Sequence, residues 1–128
     1  MKMRPATLAN LFGLGRLALG GAFMVSPVMS VRFLGVDTGT AKRMTFLARM
    51  TAARDIALGV GALATRDPAA KAVWIAAGAA SDAVDAAAIA VAVKDGHARG
   101  VPAMGMVGLA GGAAAIGLWT SARLRGRG

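Results

Sequence analysis

Between residues 7 and 122 the chain alternates long apolar stretches with short polar punctuation, and the stretches have helical composition. The first runs over residues 7–25 and stops where Ser26-Pro27 breaks it. A connector follows, SPVMSVRFLGVDTGT, whose Val28, Met29, Val31, Phe33 and Leu34 suit a membrane interface. The cluster Asp37, Thr38, Gly39, Thr40 supplies N-cap candidates for a second helix over residues 41–65. Asp67-Pro68 sets a capping carboxylate before a proline at the first helical position, and opens a third helix over residues 68–93. The polar run KDGHARG closes that helix, and Pro102 opens a fourth over residues 102–122. Each stretch is close to the ~20 residues needed to cross ~30 Å of hydrocarbon.

A soluble helix shows a polar face recurring every 3.6 residues or so. Over residues 102–122 there is none until Thr120 and Ser121. The third stretch carries Ala, Val, Ile, Trp and Gly on either side of a single SDAVD patch. A helix that is apolar all round belongs in a bilayer or a large core, and a chain of 128 residues is too short for the latter. Gly13, Gly15, Gly20 and Gly21 in the first stretch, and Gly105, Gly108, Gly111, Gly112 and Gly117 in the fourth, weaken a helix in water but let helix backbones approach in lipid. The expected fold class is therefore all-α, an integral membrane four-helix bundle with short loops. It forms one domain over residues 1–128, with a basic tail at 123–128.

The start, Met1-Lys2-Met3-Arg4, looks like the n-region of a signal peptide. Arg16 in the following stretch and the lack of a small-x-small site argue against cleavage. With four spans, the termini and the second loop share one side and carry seven basic residues: Lys2, Arg4, Arg66, Lys71, Arg123, Arg125 and Arg127. The opposite side carries five: Arg32, Lys42, Arg43, Lys94 and Arg99. The imbalance predicts a multi-pass protein of the cell membrane with both termini cytoplasmic, and Trp74 and Trp119 fall near that side.

Composition narrows the chemistry. There is no Cys, Tyr or Glu and a single His, His97, so thiol catalysis, zinc fingers, disulfide frameworks and His-built metal sites are excluded. No metal or cofactor is expected, and His97 reads as a solvated loop residue. The net charge of +9 invites a nucleic-acid reading. The basic residues, however, sit at the edges of apolar stretches rather than on one face with base-reading aromatics. No nucleic-acid partner is expected.

Six charges fall inside the predicted spans: Arg16, Arg49, Arg54, Asp55, Asp82 and Asp85. Three positive and three negative cancel, so the whole excess lies in loops and tails, where anionic lipid headgroups are near. A charge at mid-membrane costs about 2.5–3.5 kcal/mol on insertion scales, and such residues face the bundle interior and pair. Arg16, Arg54-Asp55 and Asp82 with Asp85 lie at similar depths in three helices, which predicts one buried polar layer with the fourth helix as an apolar wall. Asp82 and Asp85, three residues apart, share a helix face. The expected arrangement has Arg16 and Arg54 clamping Asp82, Asp85 and Asp55. Arg49 extends toward the interface, and Thr51 and Ser81 add hydrogen bonds.

The early GLGRLALGGAFM, the RDIALG of the second helix and the SDAVD of the third resemble a bacterial and fungal family of uncharacterised small integral membrane proteins. At the fold level the chain is similar to DoxX-like four-helix membrane proteins. The resemblance covers nearly the whole chain and implies a four-helix bundle with Arg54-Asp55 and Asp82/Asp85 as its polar signature. It implies no reaction.

Three readings stay open from the sequence. In the first, the polar layer is structural, or binds lipid, a second copy or a partner membrane subunit. In the second, a membrane enzyme performs acid–base chemistry (isomerase, cyclase or epoxide opening) on a lipophilic small molecule. Asp82, Asp85 and Asp55 would then be its acid and base candidates, and an Arg would steady negative charge. The third is a small proton-coupled exporter, which needs a carboxylate free of Arg.

Overall fold

The computed structural model describes residues 3–33 and 35–126. They form six helices: α1 (Pro5–Val25), α2 (Pro27–Arg32), α3 (Thr38–Arg43), α4 (Thr45–Ala64), α5 (Pro68–Lys94) and α6 (Gly100–Arg125). There is no strand among the described residues. By length and composition, α1, α5 and α6 are apolar enough to cross a membrane. The fourth long helix, α4, carries Arg49, Arg54 and Asp55.

Local chemistry sets the boundaries. Pro5, at the N-terminal turn of α1, starts that helix two residues before the expected boundary at residue 7. The connector is itself helical. Asp37 does cap a helix, but a short one: its carboxylate accepts from the Thr40 N–H at 2.9 Å and the Thr40 hydroxyl at 2.6 Å. These bonds, the hydroxyl first, hold the exposed Asp37 carboxyl below the usual carboxylate range. The cap's contribution is thus fully present above the usual carboxylate range and is lost as pH falls below it, through the lowered value of the capped carboxyl. The long helix α4 then begins at Thr45 rather than at residue 41. Asp67 caps α5 through the Ala70 N–H at 2.7 Å, with Pro68 in the first turn.

Two expectations for the ends change. Val31 turns inward, 3% exposed and packed with Ala41 and Ala48, whereas Met29 and Phe33 are open. Leu34 lies outside the described residues. The stretch from 123 is not a separate tail, because α6 continues through Arg125. Arg123 lies over the Trp119 ring at 5.2 Å and Arg125 donates to the Ser121 hydroxyl.

The long helices associate as two antiparallel pairs, α1 with α4 and α5 with α6. In the first pair the backbones meet at glycine. A Cβ on Gly59 would lie 2.8 Å from the Gly13 carbonyl oxygen, and one on Gly13 would lie 2.8 Å from Leu63. In the second, the buried Ser121 hydroxyl donates to the Ala72 carbonyl at 2.8 Å. The two pairs meet along a thinner seam in which α1 runs parallel to α5, with Asn10 beside Lys71 and Arg16 beside Gly78.

The interior is made of small residues and the outside of large ones. Ala9, Ala52, Ala62, Ala72, Ala79 and Ala103 are buried, whereas Leu11, Leu14, Leu19, Phe46, Leu47, Val84 and Leu109 are at least half exposed. Gly15, Gly21, Gly105, Gly108, Gly111 and Gly112 do not mediate close approach, since a Cβ on any of them would meet open space. Close packing at every glycine, the sequence expectation, holds only for those that face a neighbouring helix.

Candidate functional site

Three of the long helices bring their charges to one level. Arg16, midway along α1, donates from Nη1 to Asp55 Oδ1 of α4 at 2.9 Å and from Nη2 to Asp82 Oδ2 of α5 at 2.6 Å. The same Nη2 donates to the Gly78 carbonyl at 2.6 Å. Arg54 of α4 forks onto Asp85 of α5, at 3.2 Å to Oδ1 and 2.7 Å to Oδ2. Its Nη2 also lies 3.4 Å from Asp55 Oδ1. The five side chains form one alternating chain, Asp82–Arg16–Asp55–Arg54–Asp85.

The two halves differ in burial. The Arg16 side chain is 11% exposed, and its partners Asp55 and Asp82 are 16% and 17% exposed. Arg54 and Asp85 are about twice as open, at 34% and 37%. Arg54 Nε is buried without a hydrogen-bond partner, so its fork is the less complete of the two. Both guanidiniums bridge the seam between the helix pairs, Arg16 from α1 to α5 and Arg54 from α4 to α5. Small-residue packing holds each pair together, and this chain of charges ties one pair to the other.

Sequence reasoning missed Gly78, which stands one turn before Asp82 on the same face of α5. Its carbonyl accepts from Arg16, and the absence of a side chain makes room for the guanidinium: a Cβ there would lie 2.8 Å from Arg16 Nε and 2.9 Å from Nη2. The four-residue spacing in Gly78-x-x-x-Asp82 is the only sequence signal for it. Gly78→Ala is expected to push the guanidinium off Asp82 and lower the unfolding midpoint in detergent without altering any charge. An unchanged midpoint would remove Gly78 from the site.

Three residues considered with the polar layer, Arg49, Ser81 and Thr51, stand outside the chain of charges. Arg49 is exposed and makes no ion pair among the described residues. Five residues before Arg54, it points about 140° round the helix and about 7.5 Å along it. Ser81 turns back on its own helix and donates to the Ala77 carbonyl at 3.1 Å. Thr51, half-buried on α4, makes no hydrogen bond to the chain of charges among the described residues. His97 is exposed in the turn after α5.

A cavity of about 10 Å³ adjoins the buried half of the layer, lined by Arg16 and Asp82 together with Gly13, Trp74, Ala113 and Gly117. It has room for one water molecule. No group of three acidic or His side chains among the described residues is placed to hold a metal ion. A second polar contact lies nearer the termini, where Lys71, 8% exposed, donates to Asn10 Oδ1 at 2.7 Å. No family model, curated protein or solved structure matches the chain.

Proposed function

We propose that the chain is a small multi-pass integral membrane protein of four spans, in which the Arg/Asp layer serves as the lock between two helical hairpins. The observation that carries this reading is the engagement of both guanidiniums. Each reaches carboxylates across the seam, and the neighbouring cavity of about 10 Å³ has room for water rather than substrate. That volume favours an architectural role, one that presents the outer surface to lipid or to another membrane subunit, over acid–base catalysis at Asp82, Asp85 or Asp55.

The inside-out distribution supports the membrane. Side chains such as Leu14, Leu19, Val84 and Leu109 face outward along three helices of suitable length. In water so large an apolar surface marks an interaction site or an aggregation hazard; in hydrocarbon it is the expected exterior. The fourth span, α4, has 20 residues, about 30 Å of helix, and turns Arg54 and Asp55 inward to partners. Arg49, more than a turn nearer the helix end, reaches the headgroups along its own stem. The resemblance to small four-helix membrane proteins leads to the same architecture.

The chain has no Cys, so single cysteines give a clean topology test. Cysteine at position 66, in the loop on the termini side, is expected to react with an impermeant maleimide only after permeabilisation. Cysteine at position 97 is expected to react in intact cells. The opposite pattern would invert the orientation, and release of the protein by alkaline carbonate would end the membrane reading.

A further inference from the structure

The chain of charges does not balance. It holds three carboxylates, Asp55, Asp82 and Asp85, against two guanidiniums, Arg16 and Arg54, because Arg49 faces away. Helix α1 contributes Arg16 alone, α4 contributes Arg54 and Asp55, and α5 contributes Asp82 and Asp85. From α6 come only Ala113 and Gly117. If the layer lies at mid-membrane, as the proposed function has it, one surplus negative charge faces low-dielectric walls with no counter-ion. A group so placed takes up a proton rather than bear that desolvation. No group of three acidic or His side chains among the described residues is placed to hold a metal ion that would balance the surplus charge.

Geometry distinguishes the three carboxyls. Asp85 receives two hydrogen bonds from the Arg54 fork. Asp55 is reached by both guanidiniums. Asp82 receives one, from an Arg16 nitrogen that it shares with the Gly78 carbonyl, and it alone of the three lines the water-sized cavity. We propose that Asp82 is a proton-binding site, carrying a proton at neutral pH. Arg16–Asp55 and Arg54–Asp85 are then two matched ion pairs. Asp82 accepts from Arg16 through its carbonyl oxygen, while its hydroxyl is free to bond a water in the cavity.

The inference rests on the membrane reading, and one experiment separates the two. Polarised infrared spectra of the full chain in oriented lipid bilayers report helix orientation through the amide band and protonated carboxyls through their own C=O stretch. The expected result at neutral pH is helices aligned with the membrane normal and a carboxyl band that shifts in D2O. Asp82→Glu should move that band, whereas Asp55→Glu and Asp85→Glu should leave it in place. Asp82→Asn, an isostere of the neutral carboxyl, should fold and abolish it. Aligned helices without a carboxyl band would overturn the proton site and leave the membrane reading intact. A band that moves with Asp55 or Asp85 would overturn the assignment to Asp82. Absence of alignment would instead overturn the membrane reading itself.

Discussion

Replacing Arg16 by leucine is expected to destabilise the folded protein by about 3–5 kcal/mol, the range for removing one partner of a buried ion pair. The side chain is 11% exposed and makes three hydrogen bonds, to Asp55, Asp82 and the Gly78 carbonyl. Without it Asp55 keeps only the 3.4 Å contact with Arg54, and α1 keeps only the Lys71–Asn10 hydrogen bond as a polar side-chain link to α5. Reversible unfolding by SDS in bicelles measures the loss. Arg54→Leu should lose less, since its bonds are longer on average, at 3.2, 3.4 and 2.7 Å, and its Nε is already without a partner. Arg49→Leu should change stability by no more than about 0.5 kcal/mol, as for a surface position without partners. Adding Asp55→Asn and Asp82→Asn to Arg16→Leu should recover much of the loss, because no buried charge is then left without a partner. If Arg16→Leu unfolds at the wild-type midpoint, the chain of charges is not what joins the hairpins.

The second large effect concerns glycine, and its sign is the diagnostic. Gly59→Ala is expected to destabilise by about 1–3 kcal/mol through overpacking. Its Cβ would stand 2.8 Å from the Gly13 carbonyl oxygen, a backbone atom that cannot rotate aside, and 3.1 Å from Leu17. The same substitution at Gly112 meets nothing within 4 Å. There alanine should be neutral, or stabilise by up to about 1 kcal/mol through its better helix propensity. The two variants make the same substitution inside long helices, one on a face packed against a neighbour and the other on an open face, so the same bicelle titration compares them. A stabilising Gly59→Ala would mean that α1 and α4 do not meet at their backbones.

Much of the local structure is legible in the chain. Asp67-Pro68 announces the start of α5, and an aspartate does cap it. Ser26-Pro27 ends α1 at Val25, where the proline cannot extend the ladder. These are contacts between residues a few positions apart. The convergence of Arg16, Arg54, Asp55, Asp82 and Asp85 on one level could also be reasoned from depth, because each is near the middle of its helix. Gly78 could not: its part in the site is a carbonyl and an empty space, and neither has a side chain to attract notice. The Lys71–Asn10 contact joins residues 61 positions apart and has no local signal at all.

What the sequence alone determined is the helical, membrane-like character of the chain, the helix boundaries at Ser26-Pro27 and Asp67-Pro68, and the position of each charge along its helix. Those follow from hydropathy and from interactions within one or two turns. The tertiary structure decided which way each helix is turned. It left the carboxylates of the chain of charges one in excess, and divided the glycines into those that touch a neighbour and those that face outward. The reason is the composition itself. Helices clothed in Ala, Gly, Val and Leu on every side have no apolar stripe to specify their rotation. That rotation comes from where backbones can approach and where a guanidinium can reach a carboxylate on another helix.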